Sequence, residues 1–225
     1  MQIVITGGAG FLGARLARTL LKQGKLSLAG APARPIERIT LVDRAGAPAD
    51  LAADARITTV TGDLNAQLAA DADATVWREA DAIFHLAAAV SGECEADFDL
   101  GMRSNFAATH ALLEKVRTLG TKPVLVFASS LAVFGGPVPD PVTDDAPVTP
   151  QASYGAQKLI GEYLVYDMTR KGFIDGRAAR LMTVSVWPGR PNAAASSFLS
   201  GIVREPLAGQ PAVCPVDPKA AVALS

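Results

Sequence analysis

A tyrosine and a lysine, Tyr154 and Lys158, stand four residues apart, so they would share one face of a helix. A free tyrosine hydroxyl has a pKa of about 10 and is a poor base at neutral pH, but a neighbouring ammonium group stabilises the phenolate and lowers that pKa. The phenolate could then take a proton from a substrate alcohol. Ser130 could hydrogen-bond the same oxygen and hold it in line. We predict Tyr154, Lys158 and Ser130 as catalytic, with Ser130 and Tyr154 also touching the substrate.

Each of these signals is weak alone. A tyrosine four residues before a lysine is common by chance and equally fits an exposed pair on a helix surface. The serine pair Ser129-Ser130 could be a turn whose hydroxyls are satisfied locally. The case for catalysis therefore depends on a second motif far away in the chain, which must supply a cofactor site at the same sheet edge.

That second motif is a glycine-rich segment near the N-terminus. The run from Gln2 to Thr6 is β-branched and predicts a buried strand, and apolar residues from Leu12 to Leu21 recur at helical spacing. A strand, a glycine turn and a helix N-terminus together form an anion site, because backbone N–H groups and the helix dipole face the ligand. The alternative is a tight turn without a ligand. We predict that a dinucleotide pyrophosphate binds at Gly7, Gly10, Phe11, Leu12 and Gly13.

Asp43 ends the second predicted strand, which begins at Arg38. A carboxylate at this place accepts hydrogen bonds from the adenosine ribose hydroxyls and repels a 2′-phosphate, which favours NAD over NADP. Two features weaken the assignment. The spacing from the glycines exceeds the usual ~20 residues, because residues 28–35 look like an insertion, and Arg44 could accept a phosphate. Asp43 could also simply start a turn.

Predicted strands and helices alternate along the rest of the chain. Strands are predicted at 56–60, 81–86, 124–128 and 180–187, and helices at 96–119 and 153–170. Such alternation indicates an α/β fold, a Rossmann-type doubly wound parallel sheet with helices on both faces. Ligands then bind at the carboxyl ends of the strands. We expect residues 1–187 to form an NAD-binding domain and residues 188–225 to begin a small substrate-binding part that is incomplete.

Composition disfavours several classes of protein. The 225 residues carry a net charge of −1, so a nucleic acid is not expected as a partner. No apolar run is long enough to span a membrane and no signal peptide is recognised, which places the protein in the cytoplasm by default. Two cysteines and two histidines offer no metal-ligand cluster, and no metal is predicted. The expected partner is a small-molecule substrate, and a homodimer is left open.

Several motifs together resemble the extended short-chain dehydrogenase/reductases, also called the NAD-dependent epimerase/dehydratase family. The matching pieces are Thr6-Gly7-x-x-Gly10-x-x-Gly13, Gly62-Asp63-Leu64, His85-Leu86-Ala87-Ala88, Asn105-x-x-Ala108-Thr109, Ser129 to Gly135, Tyr154-x-x-x-Lys158 and Arg180 to Gly189. The spacing of the family's serine motif assigns the catalytic role to Ser130 rather than Ser129. The resemblance implies cofactor contacts from Asp63, Leu64, Leu86, Ala87, Ala88, Asn105, Tyr154, Lys158 and Pro188. For His85, a packed histidine at a strand end is at least as good an interpretation as a ligand.

Weaker likenesses concern the substrate. The insertion before Asp43 and the segments 89–93 and 187–209 are similar to family members that oxidise the C2 hydroxyl of a four-carbon aldonic acid with NAD. A carboxylate substrate needs a cation near the nicotinamide, for which we predict Arg190, with a further hydrogen bond from Ser91.

Three other functions are compatible with such a fold. A nucleotide-sugar epimerase uses the same serine, tyrosine and lysine and stays open. Dehydration is disfavoured, because Leu131-Ala132 stand where the family's dehydratases carry Asp-Glu. A non-catalytic NAD-sensing regulator is disfavoured as well, because the catalytic constellation is intact.

Overall fold

The computed structural model describes residues 1–70, 74–186, 194, 196–217, 219 and 222–224. The described strands are β1 (Gln2–Thr6), β2 (Lys25–Leu26), β3 (Arg34–Pro35), β4 (Arg38–Asp43), β5 (Ile57–Thr61), β6 (Ala82–His85), β7 (Val124–Ser130) and β8 (Asp175–Leu181). The described α-helices are α1 (Phe11–Gln23), α2 (Ala49–Ala52), α3 (Leu64–Ala69), α4 (Ala74–Arg78), α5 (Ser91–Ala96), α6 (Phe98–Gly101), α7 (Ala108–Leu119), α8 (Ser153–Arg170) and α9 (Phe198–Leu207). A π-helical stretch, Met102–Ala107, joins α6 to α7, and a 3-10 turn, Leu131–Val133, follows β7.

Six of these strands form one parallel sheet in the order β5-β4-β1-β6-β7-β8. Numbered among themselves along the chain, they run 3-2-1-4-5-6, which is the order of the Rossmann fold. The sequence prediction of a doubly wound parallel sheet is confirmed. The order reverses between β1 and β6, and ligands of such sheets bind at the carboxyl ends of the strands beside this point.

Both faces of the sheet are covered, and β1 shows why. Successive side chains of a strand point to opposite faces. Ile3 and Ile5 are buried in a core that includes Leu20 of α1, while Val4 is buried in a second core that includes Leu112 of α7. Because both of its faces are buried, this strand requires an uninterrupted apolar run, and its sequence contains one.

The sixth predicted strand was misplaced. It was expected at 180–187, whereas β8 runs from Asp175 to Leu181. This strand is at the edge of the sheet and pairs only with β7, so its residues are half-buried or exposed and include charged ones. The apolar stretch that suggested a strand lies mostly beyond β8, where residues 181–184 line the cleft described below.

The long helix predicted at 96–119 is divided. Asp97 has an extended backbone and accepts a hydrogen bond from the Leu100 amide at 2.8 Å, so it ends α5 and caps α6. The π-helical stretch then follows before α7 begins. Residues 28–35, read as an insertion, contribute β3 to a separate two-stranded antiparallel hairpin with β2. No helix in the described ranges is both long enough and apolar enough to cross a membrane.

Candidate active site

A cleft of about 780 Å³ lies at the carboxyl edge of the sheet and extends to α9. Most of the site residues predicted from the sequence line it, namely Gly7, Gly10, Phe11, Leu12, Gly13, Asp43, Asp63, Leu64, Leu86, Ala87, Ala88, Ser91, Ser130, Tyr154 and Lys158. Asn105 does not reach this surface. Pro188 and Arg190 lie outside the described residues. The topology thus brings the glycine segment and the Tyr-Lys pair into one cleft, as expected.

The glycine segment forms a cradle for a phosphate group. Helix α1 begins directly after Gly10, and no side chain caps its N-terminus. A Cβ atom on Gly13 would lie 2.2 Å from the Gly7 carbonyl oxygen, so only glycine allows this close approach of helix and loop. A helix N-terminus that opens into a cleft attracts an anion through its N–H groups and dipole. These residues fit the pyrophosphate of a dinucleotide.

Asp43 and Asp63 lie at the end of the cleft where we predict that the adenosine binds. The Asp43 carboxylate accepts the Ala9 amide at 3.0 Å and the Ala45 amide at 3.1 Å, so backbone on both sides holds it. Asp63 caps α3 and forms an ion pair with Arg44 at 3.0 Å. Burial raises the pKa of Asp63, but the hydrogen bond from Arg44, those from the Ala66 and Asn65 amides and the charge of Arg44 together lower it overall. Arg44, the cation that could have accepted a phosphate, is therefore engaged by a carboxylate.

The three predicted catalytic residues, called the catalytic trio below, meet where β7 ends. The Lys158 ammonium donates to the Ala128 carbonyl at 2.8 Å and lies 5.6 Å from the centre of the Tyr154 ring. Ser130 accepts the Ala132 amide at 3.1 Å and lies close enough to Tyr154 to act on the pKa of its hydroxyl. Lys158 is only 4% exposed, and this burial lowers its pKa to about 8.

The expected lowering of the Tyr154 pKa is not found. Burial raises the pKa of this tyrosine, and the hydrogen bond from Ser130 acts in the opposite direction without overcoming it. The reason is that the phenolate would be poorly solvated here. The Lys158 ammonium is directed to a backbone carbonyl rather than to the tyrosine oxygen. Ser130, rather than Lys158, is thus the group that favours the phenolate in this structure.

Two features that position Tyr154 were missed in the sequence. Glu95 in α5 accepts the Ser153 amide at 2.6 Å and so caps α8 from another helix. A Cβ atom on Gly155 would lie 2.1 Å from the Ala132 carbonyl oxygen, so glycine lets α8 approach the turn that follows Ser130. The glycine beside the tyrosine was a visible signal. The capping glutamate was not, because it is far away in the chain.

Asn105 acts beneath the cleft rather than in it. Its side chain is buried in the π-helical stretch, where it accepts the Ala89 amide at 2.8 Å and donates to the Ala89 carbonyl at 3.2 Å. It also donates to Gln157 of α8 at 2.9 Å. Asn105 thus joins the loop after β6 to the helix of Tyr154, and its predicted cofactor contact stays a prediction.

His85 is a packed histidine, as one of the two interpretations expected. It is 1% exposed, and burial lowers its pKa to about 3. The Ala87 amide donates to the Thr6 hydroxyl at 3.3 Å, which contacts His85 Nδ1 at 2.7 Å. His85 Nε2 contacts the Thr109 hydroxyl at 2.9 Å, which donates to the Asn105 carbonyl at 2.6 Å. Because the Asn105 carbonyl can only accept, the Thr109 hydroxyl donates to it and accepts from His85. This series of hydrogen bonds is therefore consistent with Nε2 as the protonated nitrogen.

A model of the NAD dependent epimerase/dehydratase family matches residues 3–219. The chain belongs to this family. Its description names NAD, and this confirms at the level of the family the cofactor that the glycine segment and Asp43 predicted. The fold, with its Rossmann strand order, is the one expected of an NAD dependent epimerase/dehydratase.

Three comparisons extend this result. The D-erythronate dehydrogenase of Cupriavidus necator is 56% identical over 97% of this chain and 66% of its own length, and that of Haemophilus influenzae is 46% identical over 96% and 65%. A solved structure described as a nucleoside-diphosphate-sugar epimerase from Agrobacterium tumefaciens is 46% identical, with a TM-score of 0.82, over 96% of this chain and 63% of that one. The chain thus spans slightly less than two thirds of the length of each.

Proposed function

We propose that this chain carries the NAD-binding and catalytic residues of a dehydrogenase that oxidises the C2 hydroxyl of a small aldonic acid, D-erythronate or a close analogue, to the 2-oxo acid. The observation that carries the proposal is that Ser130, Tyr154 and Lys158 line the same cleft as the glycine segment. The two similar D-erythronate dehydrogenases support the choice of substrate class.

Residues of this chain take up the proton that leaves the substrate hydroxyl. Ser130 and Tyr154 hold the substrate hydroxyl oxygen between them, and Tyr154, once it has lost its own proton to solvent, accepts the substrate proton as the carbonyl forms. The buried Lys158 ammonium supplies a fixed positive charge one helical turn from the tyrosine. NAD, held by the glycine segment and Asp43, would supply the hydride acceptor that this chain lacks.

The substrate carboxylate requires a cation. Arg190, predicted for this role, lies outside the described residues. Within the described part of the chain, Arg204 of α9 lines the cleft together with Ser200, one turn earlier on the same helix. The Ser185 hydroxyl donates to the Leu199 carbonyl at 3.4 Å, which holds α9 beside the segment that follows β8. Arg204, whose guanidinium also forms an ion pair with Glu205, is therefore a second candidate.

A nucleotide-sugar epimerase is the alternative. The observation in its favour is the similarity to the Agrobacterium structure described as such an enzyme. An epimerase would use Ser130, Tyr154 and Lys158 in the same way but would return the hydride to the sugar, so no NADH would accumulate.

Turnover assays separate the two functions. The chain is mixed with NAD and a panel that contains D-erythronate, longer aldonic acids, the uncharged polyol of erythronate and UDP-sugars. We expect NADH release with the four-carbon acid, less with longer acids and little with the polyol. Conversion of a UDP-sugar to its epimer, together with no NADH release from any acid, would replace the dehydrogenase by the epimerase.

A further inference from the structure

We propose that Glu162 and Arg180, two residues outside the catalytic trio, are positioning residues for the reaction, because they fix the end of β7 that carries Ser130 against the helix that carries Tyr154. The inference deepens the proposed function and rests on it for its kinetic readout. Its basis is a set of contacts that joins α8, β7 and β8 directly below the reacting hydroxyls.

One face of α8 meets the end of β7 at three levels. Tyr154, Lys158 and Glu162 are spaced four residues apart and share this face. Tyr154 lies beside Ser130 in the cleft, Lys158 donates to the Ala128 carbonyl, and Glu162 accepts a hydrogen bond from the Ser129 hydroxyl. Glu162 therefore contacts Ser129. This residue lies in β7 between Ala128, beside Lys158, and Ser130, beside Tyr154.

Arg180 holds Glu162 in this place. Its Nε lies 3.0 Å from Glu162 Oε1, and its Nη2 lies 2.8 Å from Oε2, which is a two-pronged contact. Arg180 belongs to β8 and is paired in register with Ser129 of β7. Ser129, Glu162 and Arg180 thus connect all three elements. Ser129 joins β7 to α8, Arg180 joins β8 to α8, and β8 pairs with β7.

The pair is shielded from water. The Glu162 side chain is 11% exposed and that of Arg180 is 23% exposed, so their attraction is screened much less than that of a surface ion pair. Arg180 also stacks 4.9 Å from the Phe134 ring and donates to the Asp144 carbonyl at 3.3 Å. These contacts link the segment after Ser130 to the same arginine, and they fix the approach of the serine to the tyrosine from two sides.

Geometry of this kind affects the rate more than binding. Ser130 must donate to the tyrosine oxygen and position the substrate oxygen, and a misplacement of ~1 Å can reduce a rate about 100-fold. Glu162 does not line the cleft, and the Ser129 hydroxyl is engaged by Glu162. Loss of the link should therefore lower kcat and weaken the Ser130–Tyr154 hydrogen bond, while the affinity for NAD changes little.

The test compares Ser129→Ala and Glu162→Gln with Asp167→Asn, all in the full chain. Asp167→Asn removes an exposed ion pair with Arg170 on the same helix and serves as the control. Ser129→Ala leaves the Glu162–Arg180 pair intact, so it keeps the test valid even if Glu162→Gln folds poorly. We expect kcat per folded molecule to fall about 10-fold or more in both variants, with the dissociation constant of NAD within about threefold, and the control to be unchanged.

A second readout does not depend on the substrate. The chain has three tyrosines, so carbon-13 labelling at Cζ gives three NMR resonances. Each resonance is assigned by replacing one tyrosine with phenylalanine. In Ser129→Ala with NAD present, the titration midpoint of Tyr154 should move to higher pH, because the hydrogen bond from Ser130 that opposes this rise is weakened. A purely structural role would lower stability and leave this midpoint unchanged.

The two readouts separate the two proposals. If kcat and the Tyr154 midpoint of Ser129→Ala both match those of the control, the positioning role is overturned. If the unmodified chain oxidises no aldonic acid, the proposed function fails, and the titration alone decides the role of Glu162 and Arg180.

Discussion

Arg44 and Asp63 form an ion pair, with 3.0 Å between Nη2 and Oδ2, at the adenosine end of the cleft. Their side chains are 67% and 45% exposed, so the attraction is weak, but it places a carboxylate next to the cation at this end of the cleft. A 2′-phosphate would have to compete with Asp63 for Arg44 and would also meet the charge of Asp43. The pair thus supports the preference for NAD that the sequence predicted in spite of Arg44.

Asp63→Asn tests this relationship. Asparagine caps a helix as well as aspartate does, so α3 should be preserved while the charge opposite Arg44 is lost. We expect NADP to bind about two- to fivefold more tightly, since an exposed pair is weak, and NAD to bind nearly as before. Titration of both dinucleotides measures the ratio. Asp50→Asn, which breaks an exposed pair with Arg18 elsewhere, is the control. An unchanged ratio would show that the pair has no part in the preference.

Asp43→Ala should weaken NAD binding about 10-fold or more and relax the preference for NAD. The carboxylate is expected to accept the ribose hydroxyls, and it also holds the Ala9 and Ala45 amides. Asp43→Asn is the companion variant, because it retains an acceptor without the charge. Should NADP bind more tightly than NAD to the unmodified chain, the role of Asp43 is wrong and Arg44 reads the cofactor.

Tyr154→Phe should keep NAD binding and lose most turnover, roughly 100- to 10,000-fold, because only the proton acceptor is removed. The matched control is Tyr163→Phe, a tyrosine of the same helix that is 62% exposed. Steady-state rates and an NAD titration of both variants supply the measurement. A Tyr154→Phe rate within a few-fold of normal would remove the tyrosine from the mechanism.

The buried His85 predicts how stability depends on pH. Its pKa is about 3 in the folded chain and about 6.5 when unfolded, so between these values only the unfolded chain binds this proton. The free energy of unfolding should therefore fall as the pH falls below 6.5, by about 1.4 kcal/mol per pH unit from this group. Urea unfolding from pH 7 to 5 should be less steeply pH-dependent in His85→Gln than in the exposed-site control His110→Gln. Equal slopes would contradict a neutral His85.

Arg190→Ala should raise the KM for D-erythronate far more than it changes NAD affinity, if this arginine holds the substrate carboxylate. Arg204→Gln is measured in parallel, because Arg204 is the candidate that the described residues place on the cleft. The variant with the larger rise in KM identifies the cation. An unchanged KM in Arg190→Ala removes that residue from the site, and the polyol, which has no carboxylate, should respond to neither substitution.

The sequence predicted those parts of the site that depend on local spacing. β1, β4 and α8 have the predicted bounds, because an apolar run or a helical repeat determines each of them within a few residues. The rest depends on partners that are distant in the chain. β8 could not be located from apolarity, since an edge strand need not be apolar. Glu162 carries no signal until the fold brings Arg180 and Ser129 to it.

The pKa of Tyr154 also could not be predicted from local spacing in the sequence. Spacing correctly placed Lys158 on the same helix face, but it could not show that the ammonium is directed to the Ala128 carbonyl. Nor could it show that burial dominates the environment of the tyrosine. Spacing along a helix gives the neighbours of a side chain, whereas its desolvation depends on everything packed around it.

The hydrogen-bond chain through His85 narrows the range of residues that two other positions tolerate. The hydroxyls of Thr6 and Thr109 each serve as donor and acceptor at once, with the imidazole between them. Valine has nearly the shape of threonine, yet at either position it would leave a buried ring nitrogen without a partner. Serine keeps the hydroxyl and loses only a methyl group. In a randomised library, positions 6 and 109 should therefore accept only threonine and serine, although neither side chain belongs to the catalytic trio.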